Sequence, residues 1–284
     1  MRKNFTAAFF LKDELARLKL LHRNFSGVCP IIVFDGGSSD GSKEYCSENK
    51  IKFVSRPKAV TWEERTKLIR WCFNKIETNY VLIVYAAHFY PRPLLEKFVE
   101  VSREDELAAV FNDLVIYRYG ETVHRAFIRK IPSVCNFFKK EIFKADNPKI
   151  HDEFHVDFDS SNMIKLEPTD SFSLHLFQDE DSISFSKKTI SYIEIEAKQK
   201  FDEGRRVYFA NLLFQPFLSA VYKYIRTGSI LYGSKGLVYT YLNFIYDLTL
   251  QIRIWELTNS LQQPNAAELN LKTKKMYLES KDGY

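Results

Sequence analysis

Apolar residues are distributed along this chain in two regimes. Up to Phe111, short unbroken apolar runs alternate with longer stretches in which apolar residues recur every three or four positions. The runs Phe5–Leu11, Pro30–Phe34, Ile51–Ser55, Tyr80–Val84 and Leu107–Phe111 predict strands. Between them, Asp13–Asn24, Ser42–Asn49, Trp62–Ile76 and Pro93–Ser102 predict helices. Unbroken apolar runs suit strands covered on both faces. Strand and helix alternating in this way predict an α/β fold with a mostly parallel, Rossmann-like sheet and flanking helices.

From Asp113 the pattern changes. "LVIYRYG" and "TVHRAFIRKIP", joined at Gly120 and Glu121, predict a hairpin. A polar, irregular stretch from Lys144 to Asn162 follows, then the strand-like "MIKLEP" and "SFSLHLF", then a helical region from about Ser186. The expected organisation is a domain over 1–185, divided into halves 1–111 and 112–185, a helical extension over 186–261, and a polar tail over 262–284 expected to fray or to dock loosely. No repeat or low-complexity segment interrupts it.

Composition locates the chemistry. Twenty-four Phe and 16 Tyr are an excess, and Val207–Leu257 holds much of it, with Tyr and Trp mixed into apolar helical faces bounded by Arg226, Lys235 and Arg253. Interfacial membrane helices are composed this way; packing on the domain, or on a second copy as a homodimer, is the alternative. The net charge of +5 is interspersed along the chain, which gives no broad face for nucleic acid. Four separated cysteines with no CxxC pair indicate neither zinc nor a disulfide framework and suit a reducing, cytoplasmic setting. "MRKNFTAAFFLKDE" is too short in its apolar part for a signal segment. The most apolar window, Gly236–Ile252, carries Asn243 and Asp247 and is short for a membrane span.

In a parallel sheet, ligands bind beyond the carboxyl ends of the strands. The stretch "FDGGSSDG", Phe34–Gly41, stands at such an end. Gly36 and Gly37 allow close backbone approach, Asp35 can accept hydrogen bonds from a base or ribose, and Asp40 is placed to cap the next helix. A plain turn with a plain cap is the alternative.

The ordered set of "DGGSSDGS", "EERTKLIRW", "NYVLIVYAAHFYPRPLLEKF", "RAFIRK", "PKIHDEF" and "FSLHLFQDEDSISFSKKTISYIEIEAKQKFDEGRR" resembles the inverting glycosyltransferases of family 2, with a GT-A fold. Within them it is similar to the branch of lipopolysaccharide-core β-1,4-glucosyltransferases, and the resemblance covers Phe5 to about Glu256. It implies a nucleotide-sugar donor, UDP-linked in the first instance, a glycan or glycolipid acceptor, and a peripheral place at the cytoplasmic face of the inner membrane. Position by position, it implies that Asp35 contacts uracil or ribose, that Asp40 supports the loop, and that Arg65 faces the nucleotide. Asp152, or failing it Glu153, would be the base; His175 would approach the metal or diphosphate, and Lys187 and Lys188 would stand near the diphosphate.

The chain departs from this family at one place that matters. Where a DxD-type motif would hold Mg²⁺ or Mn²⁺, it has Tyr85-Ala86-Ala87-His88, with both aspartates replaced, at Tyr85 and Ala87. His88 could hold a softer metal or donate to phosphate. The family's polar first-strand contacts are Phe10 and Leu11 here. No cofactor is therefore certain, with Mg²⁺ or Mn²⁺ still open although the carboxylates are absent, and two expectations stand side by side: an active transferase working with little or no metal, and an inactive GT-A-like scaffold or glycan- or nucleotide-binding partner.

Overall fold

A computed structural model of the chain describes residues 4–58, 62–125, 134–143, 162–178, 181–261 and 264–279. The chain divides into two units, one of Met1–Asp179 with Arg226–Gly236, the other of Glu180–Ile225 with Leu237–Tyr284.

In the first unit, β1 (Phe5–Leu11), α1 (Leu15–Phe25), β2 (Ile31–Asp35), α2 (Ser42–Glu48), β3 (Lys52–Ser55), α3 (Trp62–Phe73) and β4 (Tyr80–Tyr85) follow the predicted alternation. After them come β5 (His88–Phe89), α4 (Arg92–Glu104), β6 (Ala109–Arg118), β7 (Glu121–Arg125), β8 (Val134–Lys139), β9 (Met163–Lys165) and β10 (Ser173–Gln178). The sheet runs β3, β2, β1, β4, β8, β6, β10, β5, with β7 and β9 also paired to β6. Strands β3, β2, β1 and β4 are parallel and β8 is antiparallel to both neighbours. This is the Rossmann-like, mostly parallel sheet with flanking helices that the sequence predicts.

Burial explains the apolar runs. Six of the seven residues of β1 are buried, and so are all but the last residue of β4. Strands β1 and β4 send side chains into two cores: one under α1, α2 and α4, and one under α3. Phe137 of β8 is central to the first. Its ring stacks on Phe98 at 4.5 Å and on Tyr80 at 5.2 Å, and meets Phe5 edge-on at 5.3 Å.

Two readings from the sequence change in detail. The runs "LAAVF" and "LVIYRYG" form one strand, β6. Its hairpin to β7 turns through Tyr119 and Gly120, with φ of 55° and 77°, so that Glu121 is already paired with Arg118. Two successive left-handed residues give the tight turn that matches strand twist, and glycine at the second position lowers its cost. Between β4 and β5 lie only Ala86 and Ala87, yet β8, β6 and β10 stand between them in the pairing path, so the sheet curls back on itself.

The second unit holds α5 (Ser182–Asp202), α6 (Phe209–Arg226), most of α7 (Gly233–Thr258) and α8 (Asn265–Glu279). Asp181 caps α5 by accepting from the Ser184 amide at 2.7 Å. Ile193, Ala197, Val207, Leu250 and Ile254 form its core. Arg253 grips Glu194 with two bonds of 2.8 Å, and Glu196 is buried against Tyr246 and Lys200. The tail expected to fray carries α8 over most of its length. Arg226–Gly236 belongs with the sheet: the Ser229 hydroxyl donates to the Val123 carbonyl at 3.0 Å, and Lys235 pairs with Glu121 at 2.5 Å. None of the four cysteines forms a disulfide, and burial pushes the thiols of Cys46, Cys72 and Cys135 up to about 11, 12 and 12.

Because Phe137 is fully buried among three rings, Phe137→Ala is expected to cost about 3–5 kcal/mol. Urea unfolding followed by far-UV circular dichroism checks this, and a loss below about 1 kcal/mol would deny Phe137 its central place.

Candidate functional site

Two strand-to-helix turns are clipped together by side chains. The Gly36 amide donates to the Leu11 carbonyl at 2.9 Å, and the Asp13 amide donates to the Ser38 hydroxyl at 2.8 Å. In return, Asp13 Oδ1 accepts from the Ser39 amide at 2.8 Å. Asp40 completes the clip. Its Oδ2 accepts from the Leu15 amide, the first of α1, at 2.7 Å, while its Oδ1 accepts from the Ser42 hydroxyl and amide at 2.6 and 3.1 Å. One carboxylate thus satisfies amides at the starts of two helices that have no side-chain cap of their own.

Asp35 is only 3% exposed. Its Oδ2 accepts from the Gly37 and Ser38 amides at 2.8 and 2.9 Å, and its Oδ1 from the Ser38 hydroxyl. The aspartate is engaged with its own loop. Gly37 and Gly41, at φ 92° and 91°, take the left-handed conformation that this loop needs. Gly36 serves close approach: a Cβ there would lie 2.7 Å from Nη2 of Arg56.

Strand β1 lies between β2 and β4, so the winding reverses there, and in sheets of this kind ligands bind beyond the carboxyl ends of the strands at such a reversal, here β1 and β4. Phe10 and Tyr85, paired in register and both partly buried, bring their rings to 6.1 Å, and Phe10 stacks on Phe34 at 5.4 Å. Arg56 follows β3 and donates its amide to the Asp35 carbonyl at 2.8 Å. Its Nε is buried and has no hydrogen-bond partner among the described residues. Sequence reasoning passed over Arg56 for Arg65. The signal that could have found it is a cation directly after a short strand, at the sheet edge that carries the glycine turn.

The turn at Tyr85–His88 does not fit a divalent metal. It has no carboxylate, and the described residues contain no group of three His, Cys, Asp or Glu able to hold an ion. His88 Nδ1 accepts from the Tyr85 amide at 3.3 Å and lies 3.2 Å from the Tyr90 hydroxyl. Burial pushes its pKa down to about 3, so the ring is neutral with its proton on Nε2. To offer Nε2 to a metal, the proton would have to move to Nδ1 and break the bond to Tyr85. His175 is held at both nitrogens: Nε2 donates to the Asp170 carbonyl at 2.9 Å, and Nδ1 accepts from the Tyr117 hydroxyl at 3.0 Å.

Arg65 lies on α3, with its side chain outside the described residues. Asp152 and Glu153 are outside them altogether. Lys187 is exposed on α5, and Lys188 follows it there with a side chain that is not described. A further carboxylate escaped sequence reasoning. Asp113 of β6 is 5% exposed, and its Oδ1 has no hydrogen-bond partner among the described residues. Burial pushes its pKa up, against the opposing pull of Lys165.

Two substitutions test these carboxylates. Burial opposes ionisation of Asp40, but the Ser42 and Leu15 bonds outweigh it and hold its pKa below the usual value. Its stabilisation is therefore present above about pH 4 and lost as pH falls through the lowered value. Asp40→Ala is expected to cost about 0.5–2 kcal/mol at neutral pH, with the difference in urea midpoint closing at acid pH. Asp113 has the opposite sign: ionised and buried, it weakens the fold above its raised pKa. Near-isosteric Asp113→Leu is expected to gain about 1–3 kcal/mol at neutral pH, a gain that thermal melts should show fading as pH falls.

No family model matches the sequence, and no curated protein matches it. Several solved structures are similar in chain path. Glucosyl-3-phosphoglycerate synthase from Mycobacterium tuberculosis, in complex with Mn²⁺, uridine diphosphate and phosphoglyceric acid, is 16% identical over 41% of this chain and 44% of that one, with a TM-score of 0.32. The present chain thus spans under half the length of that structure. The same synthase with phosphoglyceric acid alone is 12% identical over 70% and 79%, with a TM-score of 0.44. TarS residues 1-349 from S. aureus are 12% identical over 91% and 92%, also with a TM-score of 0.44. Residue roles do not pass across likenesses this slight.

Proposed function

We propose that this chain is an inverting glycosyltransferase that moves a sugar from a nucleotide sugar, UDP-linked in the first instance, to a hydroxyl of a lipid-linked or surface-polysaccharide glycan. One observation carries the reading. At the reversal of strand order stand two half-buried aromatic rings, Phe10 and Tyr85, and beside the glycine turn, directly after β3, stands Arg56. Rings suit a nucleobase, and a guanidinium suits a diphosphate or a base carbonyl. The clipped loops beside them are already rigid, so little ordering would be lost on binding.

In such a transfer the acceptor oxygen bonds to the anomeric carbon as the bond from that carbon to the diphosphate oxygen breaks on the opposite face. The acceptor's proton passes to a carboxylate, and the nucleoside diphosphate leaves. The resemblance assigns the carboxylate to Asp152, with Glu153 as the substitute. Cations rather than a metal would meet the charge on the leaving group, Arg56 first, with Arg65 facing the nucleotide as the resemblance implies. Asp35 and Asp40 would hold the floor of the site through their loop bonds.

That same inward use of Asp35, with the missing carboxylates at Tyr85 and Ala87, favours the second reading, an inactive GT-A-like scaffold or glycan-binding partner. Calorimetric titration with a panel of UDP-sugars, in EDTA and in Mn²⁺, separates them. Binding should survive EDTA, and Arg56→Ala should weaken it at least tenfold, the loss of a charged hydrogen bond of about 1.5–3 kcal/mol. Asp152→Ala should keep binding and lose transfer by orders of magnitude. Failure of every nucleotide sugar to bind at millimolar concentration leaves the scaffold.

A further inference from the structure

Helix α6 is inside out. Its polar residues Ser219 and Lys223 both turn to Asp247 of α7, at 2.9 and 2.6 Å, and Pro216 and Ala220 are buried. The outward face is apolar over the whole length of the helix. Phe209, Leu213, Phe214, Phe217, Leu218 and Tyr222 are each more than half exposed, up to 77% at Phe209. They fall on one stripe, at intervals of one, three and four positions.

The exposed area of these side chains is on the order of several hundred Å², at or above the largest apolar patch of an ordinary monomer, roughly 300–600 Å². An 18-residue helix is about 27 Å long, and no helix among the described residues is long and apolar enough to cross a membrane.

Charge decides the occupant. Arg205 and Arg206 precede α6 and Arg226 ends it, and between Arg205 and Tyr246 the sequence holds five basic residues and no acidic one. A second copy laid on this face would oppose like to like. A surface with an apolar interior beneath negative groups complements both the stripe and its flanks.

We propose that the outer face of α6 docks in the interface of an anionic lipid bilayer, with the helix lying in the membrane plane, its aromatic stripe among the acyl chains and its flanking arginines at the head groups. This does not depend on the transfer reading; it would hold equally for a scaffold.

Flotation of the full chain with vesicles of phosphatidylcholine containing phosphatidylglycerol, and of phosphatidylcholine alone, tests it. The chain should float with the anionic vesicles and much less with the neutral ones, and added salt should weaken it. Phe214→Ser, Phe217→Ser and Leu218→Ser combined should lower partitioning at least tenfold. The thermal melt should stay at the wild-type temperature, because these side chains are exposed. Leu20→Ser, at an isolated exposed leucine of α1, should float as wild type. Undiminished flotation of the triple variant overturns the proposal. So does a wild-type chain that ignores vesicles but forms a dimer in light scattering that the triple variant abolishes, which would give the face to a second copy.

Discussion

A single carboxylate ties this sheet's two leading turns together. Asp40 holds the first amide of α1 with one oxygen and the start of α2 with the other. Helix starts leave several amides without intrahelical partners, and such donors are costly when withdrawn from water. Meeting two starts with one side chain fixes the separation of the turns as well as their hydrogen bonding. The place of Arg56 depends on that separation: Gly36 lies so close to the Arg56 guanidinium that a Cβ would push its tip aside, and Arg56 is placed by its amide on Asp35.

Much of this was legible in the sequence because it is local. Unbroken apolar runs mark strands buried on both faces, and β1 to β4 fall where those runs are. The glycines of "DGGSSDG" announce the left-handed turn that Gly37 and Gly41 make. What Asp35 does with its oxygens was not legible. A carboxylate before two glycines suits a ligand or its own loop equally well, and only the fold shows the Gly37 and Ser38 amides within reach. Arg56 escaped for a related reason: its meaning comes from Gly36, twenty residues earlier in the chain, which reaches it through strand pairing.

Helix α6 marks another limit. Periodicity reveals that a helix has an apolar stripe, but not which way the stripe faces. That is settled by Asp247, one helix later, which draws Lys223 and Ser219 inward. The histidines make the same point. His88 and His175 lie on or beside apolar strands and read as potential ligands, yet Nδ1 of His88 and both ring nitrogens of His175 are bonded to neighbours.

The outward stripe of α6 has a cost that conformational stability does not register. Its side chains are exposed in the folded chain, so trimming them removes little from the core, and the fold itself does not require them. In dilute buffer they are a colloidal liability: the folded molecules attract one another through surfaces that unfolding is not needed to reveal. Such a protein would leave solution at concentrations and salt levels at which its melting curve is still unremarkable, and detergent would keep it dispersed without making it more stable.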